Sequence, residues 1–281
     1  MRVCATISDM RSACRALRSA GKRLGFVPTM GALHAGHLSL VRAAKAQCDA
    51  VAVSIFVNPT QFGPKEDLAK YPRPFENDCD ALEKEGVDLI FAPTVEEMYG
   101  AGETTWVTVD GLSEKLDGRS RPGHFRGVTT VVAKLFHIVE PDRAFFGQKD
   151  AAQVAIIRRM VRDLNFPVEI VSCPIIREPD GLAMSSRNVY LSAEERRRAP
   201  VLHRSLQEVE KAFRAGERSA SKLSQAGRAV IGQEPEVRLD YFEIVDPDTL
   251  DAVERVTGET LVAVAAFVGA TRLIDNFVLE P

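Results

Sequence analysis

Shortages say the most about this 281-residue chain. It has five cysteines, Cys4, Cys14, Cys48, Cys79 and Cys173, odd in number, scattered and without a C-x-x-C. That spacing suggests neither a disulfide framework nor a zinc knuckle, and a reducing cytoplasm fits it best. The longest apolar run, Leu261 to Ala270, is about half of the ~20 residues a membrane helix needs, so no span is expected. Neither sign of charge prevails: 36 Lys+Arg against 39 Asp+Glu leave −3, too little positive field for non-specific nucleic-acid binding. A local basic pocket is still allowed. Repeats and low-complexity tracts are also missing. What remains, 45% hydrophobic and 27% charged residues, builds an ordinary globular protein with a large core, long enough for two compact units.

The N-terminus carries Arg2, Arg11, Arg15 and Arg18 against one acid, Asp9, a balance that also suits a transit peptide. Met10, Ala13, Cys14 and Leu17 follow helical spacing, however, with Ser8 as the cap and Gly21 as the stop, so the segment reads as a first helix. Strand and helix patterns then alternate. Strands are expected at 24–28, 50–57, 88–91, 143–146 and 167–173, and helices at 37–48, 75–86, 125–139 and 150–164. Repeated β-α-β order argues for α/β architecture: a Rossmann-like, doubly wound parallel sheet over residues 1–174. Past Pro174 the character changes to a loop-rich connector at 175–191. Ser192-Ala193-Glu194-Glu195 is a capping box opening a long helix, a second helix covers 220–232, and strands follow at 238–245, 260–268 and 272–279. Residues 175–281 are therefore expected to form a smaller C-terminal α+β domain.

In open α/β sheets ligands gather beyond the carboxyl ends of strands. Four polar stretches fall there or in the connector. The first, Met30-Gly31-Ala32-Leu33-His34-Ala35-Gly36-His37, puts two histidines three residues apart at a helix N-terminus, where free N–H groups and the dipole attract phosphate. Gly31 and Gly36 permit close backbone approach to a ligand. A zinc pair and a plain turn are competing readings; the first lacks a third ligand. The second stretch, Asn58-Pro59-Thr60-Gln61, offers an amide to a hydroxyl or carboxylate, although Asn-Pro is also a common turn. The third, Gly147-Gln148-Lys149-Asp150 with Gln153 one turn on, supplies a phosphate-neutralising lysine, a carboxylate for ribose hydroxyls and an amide, or else a solvated helix-capping pair. The fourth, Met184-Ser185-Ser186-Arg187-Asn188, lines up two hydroxyls and a guanidinium suited to phosphoryl oxygens, or forms a polar loop.

With His34-Ala35-Gly36-His37 early and Met184-Ser185-Ser186-Arg187 late, the chain resembles the HIGH/KMSKS class of adenylate-forming nucleotidyltransferases. The fuller set, with residues 28–37, Asn58 to Gln61, Arg121-Pro122-Gly123-His124-Phe125-Arg126-Gly127, Gly147 to Asp150 and Met184 to Asn188, resembles the pantothenate synthetase family. That resemblance implies condensation of (R)-pantoate with β-alanine through a pantoyl adenylate, with ATP consumed to AMP and pyrophosphate and Mg²⁺ on the phosphates. It places ATP against Met30 to His37, Gly147 to Asp150, Ile176 and Met184 to Arg187. Catalytic parts fall to His34, His37, Lys149 and Arg187, with His37 as proton donor. Asn58, Gln61 and Gln153 go to the pantoate, Gln61 facing the β-alanine as well. No protein residue is assigned to a metal, and a cytoplasmic homodimer without nucleic-acid or membrane partners is expected. Gln148, where an acid is common in the family, and Ala183, where the wider class has lysine, depart from the pattern. Segments 59–74 and 118–127, rich in Gly and Pro, suit lids. A related nucleotidyltransferase, a tRNA-charging enzyme and a nucleotide sensor without turnover are the rival readings.

Overall fold

The computed structural model describes residues 1–64 and 66–280. Six strands, β1 (Arg2–Cys4), β2 (Leu24–Thr29), β3 (Ala50–Ile55), β4 (Leu89–Phe91), β5 (Arg143–Gly147) and β6 (Glu169–Cys173), form one sheet in the order β1-β4-β3-β2-β5-β6. All of the pairings are parallel, as the β-α-β alternation implies. Strands β2 and β3 are almost wholly buried, the continuous apolar run expected of parallel strands covered on both faces. The chain winds outward from β2 in both directions, toward β3 on one side and β5 on the other. The topological switch point therefore lies between β2 and β5, where loops diverge and leave a crevice.

The helices are α1 (Ile7–Ser19), α2 (Ala35–Gln47), α3 (Phe75–Lys84), α4 (Val95–Met98), α5 (Asp117–Ser120), α6 (His124–Val139), α7 (Ala151–Asp163), α8 (Ala193–Arg198), α9 (Val201–Arg214) and α10 (Ala220–Ile231). Helix α1 buries Met10, Ala13 and Cys14 as its spacing requires, but Thr6, not Ser8, is its cap: the Thr6 hydroxyl accepts from the Asp9 N–H at 3.1 Å. The capping box at Ser192 forms, with the Glu195 carboxylate accepting from the Ser192 N–H at 2.7 Å. The long helix expected after it is two. Pro200, which has no N–H for the ladder, separates α8 from α9. Strand β1 was not expected, because three residues with only Cys4 buried carry no periodic signal.

A second sheet, β7 (Val237–Val245), β8 (Thr260–Val268) and β9 (Thr271–Leu279), is antiparallel in the order β7-β8-β9. Its faces alternate residue by residue. Leu273 and Leu279 pack with Leu206, Val209 and Leu223 of α9 and α10, whereas Ala263, Ala265, Ile274 and Val278 join the core of the parallel sheet. The small sheet is thus a middle layer between its own helices and the larger body.

Candidate active site

The histidine stretch follows β2 at the switch point. His34 is the N-cap of α2 and His37 its third residue, and the two side chains make a reciprocal capping box. His34 Nδ1 accepts from the Gly36 N–H at 3.1 Å, and His37 Nδ1 accepts from the His34 N–H at 3.4 Å. With both Nδ1 atoms accepting, each neutral ring keeps its proton on Nε2 as a free donor. The rings lie tilted at 39° to each other with centroids 4.1 Å apart. Burial, then the neighbouring Lys149 charge, pushes the His34 pKa down to about 4; burial, then His34, pushes His37 down to about 3. Both are neutral at pH 7.

The glycines here serve protein neighbours as well as any ligand. A Cβ at Gly36 would sit 2.8 Å from the His34 ring, and one at Gly31, whose φ is +80°, would meet Asp78 at 2.9 Å. Asp78, buried on α3, accepts from the Ala32 and Leu33 N–H groups, both at 2.8 Å, and so fixes the turn. No local pattern announces Asp78.

After β3, Asn58 is buried with both side-chain polar atoms engaged. Its amide donates to Gln61 Oε1 (3.0 Å) and the Gly127 carbonyl (3.1 Å), and its oxygen accepts from Thr60 and from the Tyr99 hydroxyl. Asn58 therefore aims Gln61, whose Nε2 reaches Met30 Sδ at 3.2 Å. His124 braces the same turn. Arg121 donates to its Nε2 at 2.9 Å, so its Nδ1–H donates to the Gln61 carbonyl at 2.8 Å. Burial, then Arg121, lowers the His124 pKa to about 4.

After β5, Lys149 and Asp150 form a single turn leading into α7, with an ion pair at 3.6 Å, and Gln153 follows on α7. Across the cleft Ser185 caps the short 3₁₀ turn Ser186–Tyr190, accepting from the Arg187 N–H at 3.3 Å. Arg187 is held by both oxygens of Asp67 at 3.2 Å, and Glu66 grips Arg121 at 2.6 and 2.8 Å. Burial opposes ionisation of Asp67 and Glu66, but the hydrogen bonds and charge of Arg187 and Arg121 hold both carboxyls below their usual range. Segment 59–74 thus lies across the arginines; its Lys65 is outside the described residues.

Three cavities meet at this point. One, of about 180 Å³, is lined by His34, Gly36, His37, Gly147, Lys149, Ile176 and Met184 to Arg187. Another of about 180 Å³ holds Met30, Asn58, Gln61 and Tyr71, with apolar walls from Val128, Val131 and Leu135. The third, about 670 Å³, opens between the parallel-sheet body and β9. Asp150, Gln153 and Arg187 line all three, and His37 lines both smaller ones. The four sequence stretches are therefore brought together. Ala32, Leu33, Ala35 and Gln148 are not among the lining residues, and Gly31 faces a separate apolar cavity. Tyr71, whose hydroxyl is 3.3 Å from Ser186 Oγ, and Asp67 escaped the sequence reading because only the folded chain sets them beside the serines and Arg187. Among the described residues no three His, Cys, Asp or Glu side chains cluster for a metal, and no helix is long and apolar enough to cross a membrane.

Comparison with known proteins gives a consistent result. Residues 2–278 match the family model described as pantoate-beta-alanine ligase. A pantothenate synthetase from Koribacter versatilis is 63% identical over 280 residues, covering 100% of this chain and 96% of that protein. One from Acidobacterium capsulatum is 64% identical over 290 residues, covering 99% and 97%. The crystal structure of pantothenate synthetase from Thermus thermophilus superposes with a TM-score of 0.95 at 48% identity over the whole of both chains. The Francisella tularensis pantoate-beta-alanine ligase, solved in complex with β-γ ATP and β-alanine, has a TM-score of 0.80 at 33% identity, covering 99% and 97%.

Proposed function

The chain belongs to the pantoate–β-alanine ligase family, and from that premise we propose how its own residues divide the work. The enzyme condenses (R)-pantoate with β-alanine, using ATP and releasing AMP and pyrophosphate by way of a pantoyl adenylate. ATP occupies the cavity of His34, His37, Lys149, Ile176 and Met184 to Arg187, and pantoate occupies the neighbouring one, its amide contacts coming from Gln61 and Gln153. Asn58 acts behind Gln61 and not on the substrate. The convergence of both cavities on His37, Gln153 and Arg187 carries this reading, because it sets a carboxylate beside an α-phosphate.

The pantoate carboxylate attacks the α-phosphorus in line and pyrophosphate leaves. Negative charge grows on the phosphoryl oxygens, where the Nε2–H groups of His34 and His37, Lys149 Nζ, the serine hydroxyls and Arg187 stabilise it more than in the ground state. The resemblance implies that His37 donates a proton. In the free enzyme burial and the neighbouring His34 keep that ring neutral, with its proton on Nε2 as a hydrogen-bond donor. Asp67 holds Arg187 until phosphate oxygens replace its carboxylate. The β-alanine amine, entering through the large cavity with Gln61 facing it, then attacks the acyl carbon, expels AMP and gives up a proton to solvent.

Mg²⁺, when bound, would supply positive charge to the phosphates and the leaving pyrophosphate. The donor set suits an ion carried mainly by phosphates, with Asp150 the acid common to all three cavities. With the chain divided at 174/175, the first domain presents His34, His37 and Lys149, and the second presents Ser185 to Arg187. A cytoplasmic homodimer completes the reading, supported by five free cysteines and by the family resemblance.

Pyrophosphate release from ATP is to be assayed with a panel of carboxylic acids, then with amines added. A pantoate requirement is expected. Release with any acid, or with none, removes the substrate assignment.

A further inference from the structure

The adjacent residues Asp275 and Asn276 on β9 are both buried, although no step above uses either. Neighbours on a strand point to opposite faces of the sheet, so this polar pair reaches two places at once. Asn276 faces the larger body. Its Nδ2 donates to the carbonyls of Gln148 and of Lys149, both at 2.9 Å, and its Oδ1 accepts from Gln148 Nε2 at 3.3 Å. The Gln148 side chain is completed from β6, where the Ser172 hydroxyl donates to its Oε1 at 2.7 Å. The turn that carries Lys149 is thus fastened through its own main chain to the C-terminal sheet.

Asp275 faces the other way. It receives Arg177 in a two-pronged pair at 2.6 and 2.9 Å, and Arg177 also donates to the Gly181 carbonyl at 3.0 Å. Those contacts close a small hairpin, 177–183, through the Arg177–Ala183 bridge and the Met184 N–H to Ile176 carbonyl bond at 2.9 Å. The hairpin ends where Met184 to Arg187 begins. The two faces are locked to each other, because the Asn276 N–H donates to Asp275 Oδ1 at 2.8 Å.

We propose that Asp275 and Asn276 are positioning residues that set the separation between Lys149 and the Ser185–Arg187 arm, making β9 the common ruler for the two sides of the nucleotide grip. The inference deepens the adenylation reading and rests on it. The alternation of the strand makes the device possible: moving β9 by one residue would exchange the two faces and release both stations. The neutral Gln148 amide takes part as a donor to Asn276, which a carboxylate could not do.

The test separates the half-reactions. In Asn276→Ala, formation of pantoyl adenylate from ATP and pantoate should slow on the order of 10²-fold, the usual result of a small misplacement of a reacting group. Attack of β-alanine on supplied pantoyl adenylate should keep its parental rate. Equal slowing of both steps, or of neither, overturns the proposal. A second readout tests the route through Lys149. Affinity for a non-hydrolysable ATP analogue, measured by calorimetry, should fall in Asn276→Ala but fall no further when that change is added to Lys149→Ala; additive losses overturn it. Should the alanine variant not fold, isosteric Asn276→Asp, which lacks the donor, carries the same two measurements. If the parent enzyme itself releases no pyrophosphate with pantoate, the adenylation reading fails; if it does and the variants match it, this inference alone fails.

Discussion

The two sides of the nucleotide grip are built by different means. His34 and His37 are fixed within four residues, His37 by the His34 N–H and His34 by the Gly36 N–H, at the start of a helix that follows a buried strand. The Ser185–Arg187 arm sits in a connector with little structure of its own. It is held by Asp67, 120 residues away, and by a hairpin tied to Asp275, 98 residues from Arg177. Local geometry fixes the histidines, and long-range pairing holds the arm, where we propose that phosphate takes the place of the Asp67 carboxylate. The difference teaches that an adenylating site needs both: a preorganised donor set for growing charge, and cations that can be exchanged from carboxylate to phosphate.

Substitutions should reveal that asymmetry, with the largest effects at the groups that stabilise growing charge, Lys149 included although Asn276 anchors its turn from 127 residues away. Lys149→Ala should lower pantoyl adenylate formation about 10³-fold while circular dichroism shows the fold intact. Normal pyrophosphate release would remove Lys149 from the site. His37→Ala should cost about 10²-fold in the same assay, and an unchanged rate would contradict the Nε2–H role. Gln61→Ala should weaken pantoate binding about 10-fold, near 1.4 kcal/mol, and leave ATP-analogue binding alone. Equal losses for both ligands would take Gln61 out of the acid pocket. On the exchangeable side Asp67→Asn should tighten binding of the ATP analogue by about threefold, since the competing carboxylate is gone. Weaker binding would mean that Asp67 prepares Arg187 and does not compete for it.

The gentlest probe is pH. His34 and His37 have folded-state pKa values near 4 and 3, below the ordinary 6.5, so the unfolded chain takes up protons first as pH falls. Their contribution to stability is complete above about 6.5 and is lost as pH falls toward 3–4. Melting temperature should therefore fall over that window, and less steeply in a His34→Gln, His37→Gln double variant. Parallel curves would show that the rings are not the source.

The same contrast decides what could be read without a structure. The β2–α2 stretch was legible because strand, turn, cap and histidines are consecutive. The Ser192 capping box and the C-terminal strands were legible for the same reason. Strand β1 and the break at Pro200 are weak local signals that packing settles. Asp78, Asp67 and the Asp275–Asn276 pair were not legible, because each acts on a partner at least 45 residues away. Only register and topology bring such residues into place. Asn58 is legible as a polar residue after a strand, but its hydrogen bonds to Gln61 and the Gly127 carbonyl are visible only in the folded chain.

The account stands on a carboxylate meeting an α-phosphate at the junction of the two smaller cavities. Oxygen-18 in the pantoate carboxylate, followed by mass spectrometry of the products, tests that directly. The label should appear in AMP, carried over when the β-alanine amine takes the acyl group. Label found in pyrophosphate or inorganic phosphate, with none in AMP, would contradict it.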